Sequence, residues 1–205
     1  MIDPELKLFC ATTNPGKLRE FQSAFRDAVP VEPVPGLKSI PPPEETGLTF
    51  EENAIQKAVY YSRHCDGYLF VDDSGLEVDA LGGAPGVYSA RFAGPNATDA
   101  ENNKLLLDRM RGVSDRTARF VCVVALAEDG KLLHTFRGKV EGRLLETPHG
   151  ANGFGYDPLF FYPPFGCTFA EAPLERKMQV SHRAKALALL REYLEESPVA
   201  KPGTS

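Results

Sequence analysis

Leu6-Lys7-Leu8-Phe9-Cys10-Ala11-Thr12-Thr13-Asn14-Pro15-Gly16-Lys17 is the stretch that decides the fold class. Residues 6–11 are an apolar run of the length of a short buried strand. Asn14 followed by Pro15 is a helix start. An asparagine side chain accepts from the first free N–H groups, and a proline at the first helical position has no N–H to lose. Leu18, Phe21 and Phe25 then recur at helical spacing and give that helix an apolar stripe. Strand, turn and helix follow one another directly, which is the opening unit of an α/β domain.

The alternation continues downstream. Residues 30–43 hold six prolines and are expected to form an extended connector. Thr49 and Glu52 have capping-box spacing and open a helix to about His64, with Phe50, Ala54, Ile55, Ala58 and Val59 on its inner side. Residues 68–71 are expected as a buried strand ending at Asp72-Asp73-Ser74-Gly75, with a loop over 81–86. Thr98 and Glu101 make a second capping box, for a helix through Met110. Residues 119–127 and 132–137 flank Asp129-Gly130, a hairpin signal. Residues 150–157 are glycine-rich and aromatic. Ser181 caps a last amphipathic helix to about Glu195, and residues 197–205 read as a frayed tail. With no internal repeat or linker, the prediction is one α/β domain over residues 1–196 with a mixed central sheet.

Composition excludes several functions. The 205 residues carry 23 Lys+Arg against 28 Asp+Glu, a net charge of -5, so no broad basic face for nucleic acid is expected. The longest apolar run, 120–127, falls far short of a membrane span. Residues 1–14 show no basic start leading into a long apolar core, so no signal peptide is expected. Cys10, Cys65, Cys122 and Cys167 form no CxxC pair and are expected as reduced thiols of a cytoplasmic protein.

The charged residues suggest chemistry. A helix start after a strand offers free N–H groups to an anion. Lys17 in that first turn opposes the helix dipole, a sign that a bound anion would reverse. The glycine spacing is not that of a Walker A loop. Lys177, His182 and Arg183 repeat the anomaly around Ser181. The alternative at both places is a solvated basic face. Glu51 and Glu52 suit the first turn of their helix for dipole reasons, whereas Glu45 lies before the cap and has no such role. Asp72 and Asp73 should point opposite ways, one into a site and the other anchoring a turn. Carboxylates from separate segments near a phosphate cradle can hold Mg²⁺; an acidic turn without metal is the alternative. Asn53 and Lys57, four apart on one helix, reach toward the same phosphates or simply toward solvent. Phe154, between Gly153 and Gly155, is placed to lie as a plate against a flat ring, with Asp157 able to accept from a ring N–H; a glycine-rich turn around a buried aromatic is the alternative. Together these are the parts of a nucleoside triphosphate site.

In order along the chain stand Thr12-Thr13-Asn14-Pro15-Gly16-Lys17, Glu45-Thr46-Gly47-Leu48-Thr49-Phe50-Glu51-Glu52-Asn53-Ala54 and Asp72-Asp73-Ser74-Gly75-Leu76. Gly82-Gly83-Ala84-Pro85-Gly86, Gly153-Phe154-Gly155-Tyr156-Asp157-Pro158 and Ser181-His182-Arg183 follow. The set resembles the Ham1-like inosine/xanthosine triphosphate pyrophosphatases over residues 6–194. The resemblance implies Mg²⁺-dependent hydrolysis of dITP, ITP and XTP to the monophosphate and pyrophosphate. It also implies an elongated domain with a long curved mixed sheet, two lobes flanking a substrate cleft, and a homodimer. Carried over residue by residue, Thr12, Thr13, Asn14, Pro15, Gly16 and Lys17 would hold the phosphates. Asp73 would be the general base and a metal contact, Glu45 a further metal contact, and Ser74 a substrate contact. Phe154, Gly155, Tyr156 and Asp157 would hold the base, with Lys177, His182 and Arg183 closing over it. Lys57 would join Lys17 and Lys177 in neutralising the phosphates.

Overall fold

The computed structural model describes residues 2 and 5–196, so the expected tail at 197–205 lies outside the described residues. β1 (Leu8–Cys10) lies between β2 (Val31–Pro33) and β3 (Tyr68–Val78) and is parallel to both. β4 (Thr117–Glu128) and β5 (Lys131–Leu144) extend the sheet antiparallel, and β6 (Phe160–Tyr162) and β7 (Cys167–Thr168) complete it. The result is the predicted mixed α/β architecture, with a seven-stranded sheet in the order β2-β1-β3-β4-β5-β6-β7. Asp129 (φ 46°) and Gly130 (φ 72°) form the β4–β5 turn with both φ values positive, as a two-residue hairpin requires.

Residues alternate faces along β3 and β4, and that period of two builds two cores. Phe70, Cys122, Val124 and Leu126 meet α1 (Pro15–Phe25) and α5 (His182–Glu196) through Phe21, Phe25, Leu187 and Leu190. Leu69, Val71, Val121, Val123 and Ala125 meet α2 (Phe50–Tyr61) through Phe50, Ala54 and Ala58. A third cluster, including Leu76, Val78, Phe120, Phe160 and Phe169, lies under α3 (Asp99–Arg109) through Leu106. α5 lies close against the sheet because residue 138 is glycine: a Cβ there would sit 2.1 Å from the His182 carbonyl oxygen. A short α4 (Leu174–Lys177) precedes α5. Both capping boxes form as predicted, and no helix among the described residues is long and apolar enough to cross a membrane.

Three expectations are corrected. The proline-rich connector contains β2 and a short 3₁₀ turn at Leu37–Ser39; Pro33 is tolerated because β2 is an edge strand. β5 runs to Leu144, well past Arg137, and Gly138 and Gly142 obscure its inward row of Phe136, Val140 and Leu144. β3 does not end at the acidic pair but passes through it to Val78, so neither aspartate anchors a turn.

Candidate active site

One cleft gathers Asn14 and Lys17 from the start of α1, Glu45, Lys57 of α2, and Asp73, Ser74 and Gly75 of β3. Its other wall comprises Ser89, Ala90, Arg91, Asp99, Asn102, Phe120, Phe154, Gly155, Tyr156 and Asp157, with Lys177, His182 and Arg183 at its base. Thr12, Thr13, Pro15 and Gly16 stand behind this lining. Thr12 Oγ1 accepts from the Asn14 N–H at 3.2 Å, Thr13 and Pro15 are exposed, and Gly16 backs the Phe154 ring.

The α1 N-terminus is less open to an anion than its sequence suggests. Asn14 Oδ1 accepts from the Gly16 N–H at 2.8 Å and the Lys17 N–H at 3.1 Å, so these backbone donors are already satisfied. Side chains therefore carry the positive charge into the cleft. Lys17 Nζ lies 2.8 Å from Asp72 Oδ1.

Beneath the cleft runs a buried ionic network. Arg183 Nε and Nη2 donate to Asp72 Oδ2 at 3.2 and 2.9 Å, Nη2 donates to Ser74 Oγ at 2.7 Å, and Nη1 donates to Glu20 Oε2 at 2.6 Å. Lys177 Nζ bridges Glu20 Oε1 at 2.8 Å and Asp157 Oδ2 at 2.6 Å. Three cations (Lys17, Lys177, Arg183) thus face three carboxylates (Asp72, Glu20, Asp157). Burial favours a neutral Glu20, but Arg183 and Lys177 outweigh it and hold its pKa low; Lys17 and Arg183 do the same for Asp72. The cations at the two helix starts are therefore answered from within the chain. They are neither a solvated face nor, by themselves, a call for a polyanion. Lys177, His182 and Arg183 are at most 4% exposed.

On the opposite side of β3, Lys57 Nζ lies 2.6 Å from Asp73 Oδ1 and 3.1 Å from Glu45 Oε1, and Arg91 Nη1 lies 2.9 Å from Glu45 Oε2. Buried Asn53 donates to Asp73 Oδ2 at 3.5 Å and accepts from the Gly47 N–H, so it braces the acid and does not line the cleft. Burial raises the Asp73 pKa, and Lys57 offsets this only in part. Burial would lower Lys57, but Asp73 and Glu45 outweigh it and raise its pKa. Two hard carboxylates from separate segments thus converge on one cation. Among the described residues no cluster of three or more His, Cys, Asp or Glu gathers for a metal. A pair of carboxylates fits Mg²⁺, which keeps waters and takes substrate oxygens for its remaining positions.

At the aromatic end, Gly153 (φ 75°) and Gly155 (φ 61°) bend the loop left-handed around Phe154. The ring lies so close to Gly16 that a Cβ there would be 2.3 Å from Phe154 Cδ1. Lys177 Nζ and the Arg183 guanidinium carbon lie 5.1 and 5.6 Å from its centroid. Asp157 is 2% exposed and accepts from Lys177 and from the Phe154 N–H at 3.0 Å. Its carboxylate shapes the loop, which corrects the expectation of an open acceptor. Tyr156 OH donates to the Ser89 carbonyl at 2.8 Å. His182 stacks on Phe120 at 4.7 Å, and burial, with Arg183 and Lys177 beside it, keeps it neutral.

Sequence reading missed Glu20, Arg91 and Asn102. Glu20 carried a usable signal, an acid one turn beyond Lys17 beside the apolar stripe; Arg91 and Asn102 had only their polarity.

The Ham1 family model matches residues 8–193. A curated relative from Acidobacterium capsulatum, named dITP/XTP pyrophosphatase, is 50% identical over 195 residues, covering 90% of this chain and 96% of its own. The solved HAM1 protein from Coxiella burnetii superposes with a TM-score of 0.83 at 42% identity, covering 94% of this chain and 100% of the other. The Staphylococcus aureus Ham1 protein gives 0.81 at 41% identity, covering 92% and 98%.

Proposed function

The chain belongs to the Ham1 family, and on that premise we propose that it hydrolyses dITP, ITP and XTP to the monophosphate and pyrophosphate. The observation that carries this reading is the meeting, in one cleft, of Lys17, Lys57, Glu45 and Asp73 with the Phe154 loop, His182 and Arg183. Residues 1–196 act as one unit, since both ends of the chain supply that cleft. In the reaction, water attacks the α-phosphorus, the bond to the oxygen bridging the β-phosphorus breaks, and pyrophosphate leaves with that oxygen.

Asp73 takes the proton from the water, and burial makes it a better base than an exposed carboxylate. The turn Thr12–Lys17 places Asn14 and Lys17 on the phosphates, with Lys57 and Ser74 beside them. Glu45 and Asp73 would hold Mg²⁺, whose chemistry when bound is to neutralise phosphate charge and polarise the water. Phe154 covers the base, Gly155, Tyr156 and Asp157 hold the loop against it, and Lys177, His182 and Arg183 form its far wall. A 6-oxo group there accepts from protein donors that a 6-amino group would leave unpaired, a difference that can reach ~10⁴ in selectivity.

The enzyme acts in the cytoplasm as a homodimer. Its four free cysteines suit a reducing compartment. Leu48 (82% exposed) and Tyr88 (55%), the two most exposed large apolar side chains among the described residues, flank one groove suited to a second copy. The decisive assay is pyrophosphate release from ITP, with and without magnesium, in the wild type and in Asp73→Asn. Release by the wild type that needs magnesium and is lost in the variant is expected. ITP binding without release would instead make the chain a nucleotide sensor.

A further inference from the structure

The loop that carries Phe154 is held by one helix. Asp99 and Asn103 are the first and fifth residues of α3 and, four apart, share one helix face. Asp99 Oδ2 accepts from the Gly155 N–H at 2.7 Å, and Asn103 Nδ2 donates to the Gly155 carbonyl at 2.8 Å. Both backbone groups of a single glycine are therefore gripped by side chains of another element. We propose that Asp99 and Asn103 are positioning residues for base recognition, which fix Gly155 and through it the place of the Phe154 ring. This rests on the proposed nucleotide pyrophosphatase function.

Capping accounts for neither residue, and the helix dipole, which favours an acid in the first turn at Asp99, does not explain why its carboxylate is spent on the Gly155 N–H. Thr98 and Glu101 already make the capping box of α3, so Asp99 is not needed for it. Asn103 leaves its own Oδ1 buried with no partner among the described residues, while its amide donates to Gly155. An unsatisfied buried acceptor is costly, and asparagine is a poor helix former, so the donated bond is the feature gained. The preceding residue does the same for another segment of the cleft lining. Asn102 Oδ1 accepts from the Ala93 N–H at 2.8 Å, and Nδ2 donates to the Ala90 carbonyl at 3.2 Å. α3 thus holds two separate segments of the cleft lining. Gly155 (φ 61°) occupies a conformation open to few residues, and Gly153 (φ 75°) leaves the loop little stiffness of its own. The clamp supplies that stiffness.

The test is steady-state kinetics on ITP and GTP, with Kd for ITP by calorimetry, for the full chain and for Asp99→Ala, Asn103→Ala and Asp99→Asn. The two alanine variants are expected to raise the Kd and KM for ITP about tenfold and to narrow the preference for ITP over GTP. Misplacing a binding group by an ångström or less is enough for such a change. Their kcat should stay within about twofold of wild type and their Tm within about 4 °C, the shift of a small stability change in a chain of this size. Asp99→Asn keeps an acceptor and should restore most of the affinity. Unchanged Kd and KM in both alanine variants would overturn the clamp. So would a parallel fall of kcat and Tm that Asp99→Asn does not rescue, since that is the mark of a purely structural role. A wild type that binds ITP without hydrolysing it refutes the proposed function alone, and the clamp is then judged on Kd. A wild type that neither binds nor hydrolyses ITP refutes both.

Discussion

Asp72 and Asp73 are neighbours in β3 whose carboxylates lie on opposite faces of the sheet, Asp72 held by Lys17 and Arg183, Asp73 by Lys57. The strand's period of two assigns them different work. Asp72 is fully enclosed, and its charge answers two cations. Asp73 opens on the cleft, and burial pushes it toward its neutral form. Asp72→Asn should therefore cost about 3–5 kcal/mol of stability, because Lys17 and Arg183 lose a shared buried partner. Asp73→Asn should leave the denaturation midpoint nearly unchanged and abolish pyrophosphate release. Denaturant melts and the release assay on both variants check this, and the opposite ranking would refute the division of labour.

Gly16 is a packing requirement of the aromatic plate. Its φ needs no glycine, but a Cβ would meet Phe154 Cδ1 at 2.3 Å, Cε1 at 2.7 Å and Cγ at 2.9 Å. Gly16→Ala should push the ring into the cleft and raise the KM for ITP by about an order of magnitude or more. Helix α1 itself should be undisturbed, since alanine favours helix over glycine. A crystal structure of the variant with an unmoved Phe154, or an unaltered KM, would contradict this reading.

What was legible in the sequence was local. Asn14-Pro15, Thr49 with Glu52 and Asp129-Gly130 are short-range devices, and each forms where it was read. β3 was cut short because two adjacent aspartates look like a polar turn. The partner that lets Asp72 stay in a buried strand, Arg183, is 111 residues away. Glu20 escaped for the same reason, lying 163 residues from the guanidinium it holds. Cleft membership followed the motifs for Asn14, Lys17, Asp73, Ser74 and residues 154–157, but not for Thr12, Thr13, Pro15 and Gly16. The internal neutralisation of Lys177 and Arg183 did not, because charge pairing across such separations leaves no periodic trace.

The groove flanked by Leu48 and Tyr88 should be covered in solution. Pro85, Val87 and Phe50 continue its apolar surface, and Glu51, Glu77 and Arg137 supply charges of both signs for a two-fold contact. Sedimentation of the wild type should give the mass of two chains. Leu48→Glu should shift the population toward one chain by placing an unpaired charge in the contact. A wild type that sediments as a single chain at all concentrations would rule out this face.

His182 sets a pH dependence of stability whose sign can be worked out. It is 4% exposed and stacked on Phe120, and burial, then Arg183 and Lys177, hold its pKa well below 6.5. The folded chain keeps it neutral, while the unfolded chain takes up a proton as pH falls through about 6.5. The unfolded state then binds more protons, so stability falls with falling pH, by at most about 1.4 kcal/mol per pH unit from this group. The facing acids Asp72 and Glu20 do not mask this. Their pKa values are held low in the fold, so the stability they contribute is present above the ordinary carboxylate range and is lost only at lower pH. Denaturation of the wild type and His182→Gln at intervals between pH 7 and pH 5 should therefore give a steeper loss for the wild type. Parallel curves would mean that the imidazole gains its proton in the folded state as readily as in the unfolded one.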